Sequence, residues 1–597
     1  NPTWEGRDRF FLDPGHMSPM LYSQLTLTGK FTLDELKQFR QWESPTPGHP
    51  EVAIERGIEN TSGPLGQGHA YAVGAAIAAK FLKTKFGDQM GQTIYTYISD
   101  GGVEEEISQG VGRLAGHLGL DNLIMFYDSN GIQLSTVTAE VTSEDTAAKY
   151  LAWGGEALKK AQAVKGKPTL IIGKTIMGKG AVTADGSNYE NKCATHGAPL
   201  GEAGACFEKS IENLGGNPEN PFAIFPEVAE LYSKRAKELE GIVAKRYAAK
   251  AEWAARNSEA AAKMEKWSSG AAPEIDWTAI EQKTGQATRA ASATVLSYLA
   301  QNVENMVVAS ADLSNSDKTD GFLKKTKAMT KDDFSGAFLQ AGVAELTMAC
   351  VCIGMGLHGG VIPACGTFFV FSDYMKPAVR MAALMEVPVK FIWTHDAFRV
   401  GEDGPTHEPV EQEAQIRLME KLKNHSGQNS MLVIRPADVY ECTVAYKLAL
   451  ENIKTPTAFI LSRQNIKDLP NSNYQTALKA SKGAYVVECD GNPDIVMLAS
   501  GSEVSTLVEG AELLRKDGVK VRIVSVPSEG LFRNQAAEYQ ASVLPIGVKR
   551  FGLTAGLPVN LQGLVGENGS IWGLESFGFS APYKVLDEKL GFTGENR

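Results

Sequence analysis

Residues 93–135 constrain the fold more than any other stretch of this sequence. The run Thr93 to Ser99 is β-branched or aromatic at most positions, which predicts a buried strand. Apolar residues then recur at helical spacing from Glu104 to Leu118, and a second short apolar strand is predicted from Asn122 to Tyr127. Because a strand–helix–strand crossover makes its two strands parallel, we predict an α/β fold with a parallel sheet.

Both predicted strands end in short polar turns, Asp100-Gly101-Gly102 and Asp128-Ser129-Asn130-Gly131. Since open α/β sheets bind ligands beyond the carboxyl ends of their strands, we expect Asp100 and Asn130 to converge there. Their oxygens, with the backbone carbonyl of Ile132, suit Mg²⁺ or Ca²⁺ that shares its coordination shell with a diphosphate. Gly101 lacks a Cβ atom and so lets phosphate approach the backbone. Two ordinary turns are the alternative explanation.

The composition of the 597-residue chain limits its class. Apolar residues make up 43%, enough for several cores, and the length suggests about three or four domains. No run reaches the ~18 apolar residues of a membrane helix, and the start NPTWEGRDRF lacks the features of a secretory signal. The net charge of −11 argues against nonspecific nucleic-acid binding, and seven cysteines without CxxC pairs favour a reducing compartment. We therefore expect a cytoplasmic protein with no nucleic-acid or membrane partner.

Loops before this unit add candidate groups. His16 follows a Pro-Gly pair, His49 lies in TPGHPE, and the glycine-rich loop Thr61 to Gly68 leads into a helix predicted for Ala70 to Leu82. Such a loop at a helix start can hold a cofactor. Each histidine alone also fits a solvated loop residue, but their recurrence favours a functional role. Asn1 to Phe11 is predicted to be a loop.

The rest of the chain falls into three regions. The charged, Ala-rich segment Val228 to Trp267 predicts helix and an interdomain connector. From Ile280 strands and helices alternate, which predicts a second parallel sheet. Its strand Val387 to His395 leads into the polar, glycine-rich loop Arg399 to His407, a candidate functional loop at a strand's carboxyl end. A third α/β unit starts near Lys482.

A series of motifs along nearly the whole chain resembles those of the transketolase family. They are GPLGQG at Gly63–Gly68, SDGG at Ser99–Gly102, DSNGI at Asp128–Ile132, ADL at Ala311–Leu313, THDAFRVGEDGPTHEP at Thr394–Pro409 and LSRQN at Leu461–Asn465. Their common order makes the combination far more specific than one motif. The resemblance implies a three-domain α/β protein with the thiamine-diphosphate-binding fold, in which two parallel-sheet domains precede a C-terminal α/β domain. The implied ranges are 1–227 for the diphosphate and metal domain, 228–279 for a helical linker, 280–470 for the pyrimidine domain and 471–597 for the C-terminal domain.

The resemblance also implies an activity. Transketolases are thiamine-diphosphate-dependent transferases of the pentose phosphate pathway that move a two-carbon ketol unit reversibly between sugar phosphates. The donor is a ketose phosphate such as xylulose 5-phosphate, and the acceptor is an aldose phosphate such as ribose 5-phosphate or erythrose 4-phosphate. The family works as a homodimer with active sites at the interface, between the diphosphate domain of one subunit and the pyrimidine domain of the other.

Matching positions carry the family's roles over to single residues. The divalent metal, Mg²⁺ or Ca²⁺, is assigned to Asp100, Asn130 and the carbonyl of Ile132. Cofactor binding is assigned to Gly63, Leu65, Gly101, Asn130, His196, Glu345, Phe368 and Phe371. Substrate binding is assigned to His49, His196, Arg289, Ser314, His395, Asp403, His407 and Arg463, and catalysis to Glu345, His407, His49 and His16.

Glu345 holds the central chemical role that the resemblance implies. Protonated, it would hydrogen-bond the pyrimidine ring nitrogen and make the exocyclic amine basic enough to remove the thiazolium proton. Its neighbours GVA and LTMACV are apolar, so we expect it to be buried and its pKa to be raised. His407 or His49 would relay protons, and Arg289 and Arg463 would hold the phosphate by charge-assisted hydrogen bonds. The alternative roles are a surface carboxylate for Glu345, core packing for Phe368 and Phe371, a structural role for His395 and a solvated position for Arg289.

The sequence departs from the family pattern at several positions. Family members usually carry a further segment before the first residue here, with a Gly-His-Pro motif whose histidine reaches the substrate, and that histidine is absent from this sequence. Near Trp153–Gly155 the family has a strand and loop, whereas here Glu156 is predicted to enter a helix at once. Ala344 stands where an arginine is common, and Gly110 where a second interface carboxylate is common. We therefore expect a different proton network at the dimer interface.

Other functions stay open from the sequence. A related thiamine-diphosphate enzyme, dihydroxyacetone synthase or phosphoketolase, is the nearest, and a non-catalytic binding or scaffold homologue is a second class. The arginines and the GEDGPTH loop favour a phosphorylated sugar and a transferase.

Overall fold

The computed structural model describes residues 1–153, 163 and 165–596. The helix predicted from Glu156 lies outside the described residues. The chain divides into two compact units: the first comprises Asn1–Ser269, Thr330–Ser335 and Leu357–Gly360, and the second comprises Gly270–Met329, Gly336–Gly356 and Val361–Arg597. No helix in the described ranges is both long and apolar enough to cross a membrane.

The first unit contains a parallel sheet in the order β1-β2-β3-β4. Its strands are β1 Arg9–Leu12, β2 Ile94–Ser99, β3 Leu123–Ser129 and β4 Thr169–Lys174. Ile94 pairs with Leu123 and Ser99 with Asp128, which confirms the predicted crossover. The loop prediction for Asn1 to Phe11 is wrong at its end, because β1 pairs with β2 there. Four residues are too few for a periodic signal.

The described residues of the first unit also form helices. The α-helices are Ser18–Leu27, Leu33–Lys37, Gln67–Phe86, Asp100–Glu104, Glu106–His117, Thr138–Val141, Thr146–Trp153, Leu200–Ala203, Phe207–Asn213, Pro226–Arg256 and Ser258–Ser268. Short 3-10 helices lie at Gly15–Met17, Ile54–Arg56, Gly87–Met90 and Cys193–Thr195. The helix Gln67–Phe86 is buried along most of its length because alanine and glycine let it approach β1 and β2 closely. The helix predicted over Val228 to Trp267 is interrupted at Asn257.

The second unit contains a larger parallel sheet in the order β6-β5-β7-β8-β10-β9. Its strands are β5 Met306–Ser310, β6 Phe338–Gln340, β7 Ile362–Phe368, β8 Lys390–Thr394, β9 Leu432–Ile434 and β10 Thr457–Leu461. Nearly every residue of β5, β8 and β10 is buried, as expected for a parallel sheet covered on both faces. The prediction of a second parallel sheet is confirmed.

A further sheet of the second unit has the order β11-β13-β12-β14-β15. Its strands are β11 Tyr485–Cys489, β12 Ile495–Ala499, β13 Val521–Ser525, β14 Lys549–Leu553 and β15 Ser570–Trp572. All neighbours are parallel except β11 and β13. Two parallel-sheet regions followed by a C-terminal α/β region are the predicted fold class.

The helices of the second unit connect these strands. The α-helices are Thr288–Asn302, Ser314–Asp317, Asp320–Leu323, Glu345–His358, Ser372–Leu384, Gln412–Lys421, Val439–Glu451, Tyr474–Ala477, Glu503–Lys516, Glu529–Arg533, Ala537–Val543, Val559–Val565 and Tyr583–Lys589. The 3-10 helices are Trp277–Ala279, Phe369–Phe371, Phe398–Val400, Leu478–Lys482 and Gly594–Asn596. The last residues of Glu345–His358 belong to the first unit.

Candidate active site

The carboxyl ends of β2 and β3 meet as the sequence predicts. Asp100 directly follows β2, and its Oδ2 accepts hydrogen bonds from the backbone N–H groups of Asn130 (3.1 Å) and Gly131 (2.9 Å). Its Oδ1 accepts a hydrogen bond from the hydroxyl of Tyr127. Asn130 Oδ1 accepts from the N–H of Ile132 at 2.9 Å, which turns the chain back after β3. The Asp100 carboxylate therefore contacts the turn that carries Asn130 and Ile132.

A cavity of about 960 Å³ opens at these strand ends, and we call it the strand-end cavity. Every site residue that the sequence predicts in the first unit lines it: His16, His49, Gly63, Leu65, Asp100, Gly101, Asn130, Ile132 and His196. A Cβ on Gly101 would lie 3.1 Å from Leu65 Cδ1, so glycine keeps space open here. The six segments that supply these residues are distant in sequence, and the fold gathers them.

Three histidines face one another in the strand-end cavity. The rings of His16 and His196 are 4.5 Å apart. Burial, followed by the charges of His196 and His49, lowers the pKa of His16 to about 4. Burial also lowers the pKa of His196, while Asp100 opposes that shift. His16 and His196 are therefore neutral at pH 7, and each can donate or accept one hydrogen bond.

The strand-end cavity fits a metal-bound diphosphate. Carboxylate, amide and carbonyl oxygens are the donors that Mg²⁺ and Ca²⁺ prefer. Gly101 leaves room for phosphate beside the backbone. His196 Nδ1 is buried and has no hydrogen-bond partner among the described residues, as expected of an atom that meets a ligand.

Sequence reasoning passes over the charged residues Arg40, Glu104, Glu105 and Glu106 of this cavity. Glu104 Oε1 is buried without a partner among the described residues. Its position four residues after Asp100, on the same face of the helix, is the signal that could have identified it. Arg40 adopts φ +64°, in the left-handed region, and no sequence signal marks it.

Aromatic and basic side chains gather at the carboxyl ends of β7 and β8 in the second unit. Phe368, the last residue of β7, lies 3.7 Å from His395 and 5.9 Å from Phe371 between ring centroids. The ring of His407 is 5.4 Å from that of Phe371. His395 adopts φ +64°, which non-glycine residues adopt rarely, and such strain concentrates at functional sites.

Positive charge converges on this group of side chains. Arg289 Nη1 lies 3.3 Å from His395 Nε2 and donates to the carbonyl oxygen of Ser316 at 2.8 Å. Burial, then Arg289, Arg463 and His407, lowers the pKa of His395 to about 2, so its ring is neutral. Burial and the nearby Arg463 lower the pKa of Arg289. Two guanidinium groups beside a neutral imidazole suit a phosphate ester.

The remaining predicted residues of the second unit lie at helix starts and in a loop. Ser314 begins the helix Ser314–Asp317, and Asp403 is exposed in the loop after β8. Glu345 begins the helix Glu345–His358. The prediction that Glu345 is buried is met only in part, because this first-turn side chain is partly exposed and Val343, two residues earlier, is 78% exposed. Burial still raises the pKa of Glu345.

Three family models match successive parts of the chain. Residues 1–273 match the thiamine diphosphate binding domain of transketolase. Residues 284–468 match the pyrimidine binding domain of transketolase, and residues 483–593 match the transketolase-like C-terminal domain.

Relatives and solved structures agree with these matches. Transketolase of Halalkalibacterium halodurans is 40% identical over 625 residues, covering 99% of this chain and 90% of the relative. Transketolase of Bacillus subtilis is 39% identical over 624 residues, covering 100% and 91%. The structure of transketolase from Leishmania mexicana has a TM-score of 0.93 at 33% identity, covering 100% of this chain and 89% of that one. A Pichia stipitis transketolase in complex with sedoheptulose 7-phosphate has a TM-score of 0.91 with the same identity and coverage.

The fold and the matched domains define a thiamine-diphosphate-dependent transferase. Two parallel sheets carry candidate residues at their strand ends, and a C-terminal sheet region follows. The chain belongs to the transketolase family.

Proposed function

We propose that this protein transfers a two-carbon ketol unit from a ketose phosphate to an aldose phosphate, with thiamine diphosphate and a divalent metal. The observation that carries the proposal is the strand-end cavity, in which Asp100, Asn130 and Ile132 present oxygen donors beside Gly101. Family membership supplies the reaction class. The nearest alternatives, dihydroxyacetone synthase, phosphoketolase and a non-catalytic homologue, gain no support from the comparisons.

In this proposal the residues of the first unit hold the cofactor. Asp100, Asn130 and the carbonyl of Ile132 bind Mg²⁺ or Ca²⁺ together with the diphosphate. Gly63, Leu65 and Gly101 let the cofactor approach the backbone. When bound, thiamine diphosphate supplies the nucleophilic carbon that two-carbon transfer needs. His16, His49 and His196 orient substrate and cofactor by hydrogen bonds, and their proximity to one another supports that role.

Residues of the second unit complete the site. Glu345 holds a proton against the pyrimidine nitrogen, and its raised pKa supports this role. Phe368 and Phe371 flank the pyrimidine ring, and their stacked arrangement supports this position. The phosphate end of the substrate is bound by Arg289, Ser314, His395 and Arg463, and its hydroxyls and protons are handled by Asp403 and His407. These groups orient the substrate, which accounts for much of the rate gain in transfer reactions.

We propose further that the protein is a homodimer in which each active site takes the strand-end cavity from one subunit and the Glu345 region from the other. Exposed apolar side chains next to proposed site residues support this: Leu134 beside Ile132 is 73% exposed, and Val343 beside Glu345 is 78% exposed. The division at 1–227, 228–279, 280–470 and 471–597 stays a prediction.

The cell context is also a proposal. Seven cysteines that are free in the structure suit a reducing cytoplasm, and the reaction proposed belongs to the pentose phosphate pathway.

A coupled assay tests the proposed reaction. The purified protein is incubated with xylulose 5-phosphate, ribose 5-phosphate, thiamine diphosphate and Mg²⁺. We expect sedoheptulose 7-phosphate and glyceraldehyde 3-phosphate in equal amounts. Acetyl phosphate formed from xylulose 5-phosphate and inorganic phosphate would identify a phosphoketolase instead, and dihydroxyacetone formed with formaldehyde as acceptor would identify a dihydroxyacetone synthase. No product at any enzyme concentration would contradict the proposal.

A further inference from the structure

The loop after β8 is held by a segment from the end of the chain. This loop, residues 401–408, carries Asp403 and His407. Residues 575–589, which include the helix Tyr583–Lys589, pack against it, and we call them the C-terminal clasp. None of the site residues assigned above lies in the clasp.

The backbones of the loop and the clasp fit closely. Gly401 has φ +89°, and a Cβ there would lie 3.3 Å from the carbonyl oxygen of Ala581. Gly404 has φ +76°, and a Cβ there would lie 3.0 Å from Ser580 Cβ. Ser580 Oγ donates a hydrogen bond of 2.7 Å to the carbonyl oxygen of Glu402. Two glycines of the loop thus allow the clasp to approach closely, and the hydroxyl of Ser580 bonds the two segments together.

Glu408 lies at the centre of this contact. Its side chain is 2% exposed, and neither carboxyl oxygen makes a hydrogen bond of normal geometry among the described residues. Burial raises the pKa of Glu408 to about 7. The backbone amides of Gly401 in the loop and Phe579 in the clasp face the carboxyl and oppose that shift. A Cβ on Gly578 would overlap Glu408 Oε2, so glycine is required opposite this carboxyl. Burying a carboxyl that contributes no fully formed hydrogen bond is costly, which points to a role other than stability.

Arg399 anchors the start of the loop to the same segment. This guanidinium is 4% exposed; its Nε donates to Asp587 Oδ1 of the clasp at 2.7 Å, and its Nη1 to Glu503 Oε1 at 2.7 Å. It also lies over the ring of Phe592. Arg399 and Glu408 therefore tie both ends of the loop to the C-terminal region, while Asp403 between them stays exposed.

We propose that the C-terminal clasp positions the Asp403–His407 loop for substrate, and that Glu408 is the positioning residue through which it acts. This inference rests on the proposed function, because that function makes Asp403 and His407 substrate-binding residues. A displacement of about 1 Å in a substrate-positioning group can cost about 100-fold in rate, so a buried contact that fixes this loop has catalytic consequences.

Hydrogen exchange tests the clasp without any activity. We compare the full-length wild type with Glu408→Ala, Glu408→Gln and the matched control Glu575→Gln, which removes an exposed carboxylate from the same segment. We expect at least tenfold faster amide exchange in 401–407 and 576–582 for Glu408→Ala. We expect little change for Glu408→Gln, whose carbonyl can still accept from an amide, and for the control. Unchanged exchange in Glu408→Ala would overturn the proposal even if ketol transfer were never detected.

Kinetic measurements with saturating thiamine diphosphate and Mg²⁺ test whether the position of the loop affects substrate binding. We expect Glu408→Ala to raise the KM for xylulose 5-phosphate at least tenfold while its affinity for thiamine diphosphate changes less than twofold. Glu408→Gln should stay within threefold of the wild type. A parallel loss of cofactor affinity and Tm would assign Glu408 a merely structural role, and an unchanged KM would remove the positioning role.

Asp587→Asn, an isosteric change at the Arg399 anchor, is the second variant and should raise the KM without altering cofactor affinity.

Discussion

At the scale of single residues, the strand-end groups were the most predictable part of the site. Asp100 and Asn130 follow strands whose parallel pairing places both at one edge of a sheet, so local pattern alone brings them together. The contact of His16 with His196 depends on loops far apart in sequence, and only the family resemblance placed both histidines at the site. The exposure of Glu345 depends on what covers the start of its helix, which an apolar sequence pattern does not determine.

Glu345 provides the first prediction at this scale. Glu345→Ala should lower kcat by about 10²- to 10⁴-fold, because the proton that it holds acts on the cofactor ring. Its Tm should stay close to that of the wild type, since the side chain is partly exposed. Steady-state kinetics and differential scanning calorimetry measure both quantities. A variant with near-normal kcat would remove the activating role of Glu345.

His16 provides a prediction about pH. Its pKa in the folded protein, about 4, lies below the ordinary value of 6.5, so the unfolded chain binds the proton more readily between these values. The contribution of His16 to stability is therefore fully present above pH 6.5 and is lost as the pH falls toward 4. In selectively labelled protein, we expect the NMR signal of the His16 ring to show a neutral imidazole from pH 8 down to pH 5.5. A titration midpoint near pH 6.5 would contradict the buried environment of the His16 ring.

At the scale of elements, the crossover from β2 to β3 was predictable from periodicity, and the shortest elements were not. β1 was missed because four residues carry no clear alternation, and the break at Asn257 was missed because the alanine-rich helical pattern continues on both sides of it. The short helix after β2, Asp100–Glu104, combines tight packing with an open cavity. A Cβ on Gly102 would lie 2.5 Å from Asp13 Oδ2 and 2.7 Å from Ile98 Cγ1, both in the core, whereas one on Gly101 would meet only Leu65 at the cavity wall.

Two glycine variants separate these roles. Gly102→Ala should destabilise the first unit by about 1–3 kcal/mol, the cost of overpacking a filled core. Gly101→Ala should leave stability nearly unchanged and weaken thiamine diphosphate binding, because its methyl group enters the cavity. Calorimetric unfolding and cofactor titration distinguish them. Equal loss of stability in both variants would contradict the packing difference.

At the scale of the whole molecule, the order of motifs predicted the succession of two parallel-sheet regions and a C-terminal region. The sequence could not predict the contact of the C-terminal clasp with the loop after β8. That contact joins residues such as Glu402 and Ser580, which are 178 positions apart, through backbone fit and three glycines, and neither leaves a periodic pattern.

Assembly provides the prediction at this scale. Sedimentation equilibrium should give the mass of two chains, and Leu134→Lys, at an exposed apolar position of the strand-end cavity, should shift the protein toward single chains. Trp42→Lys, at another highly exposed apolar residue outside that cavity, is the matched control. A wild type that sediments as single chains and is fully active would contradict the shared site.

The most direct test of the central claim is calorimetric titration of thiamine diphosphate into the protein with Mg²⁺ or with EDTA. We compare the wild type with Asp100→Asn and with Asp88→Asn, a control at an exposed carboxylate in the 3-10 helix Gly87–Met90. We predict metal-dependent binding for the wild type and the control, no binding with EDTA, and at least tenfold weaker binding for Asp100→Asn. Binding of equal strength in Asp100→Asn, or binding that ignores the metal, would contradict a metal-bound diphosphate at the strand ends.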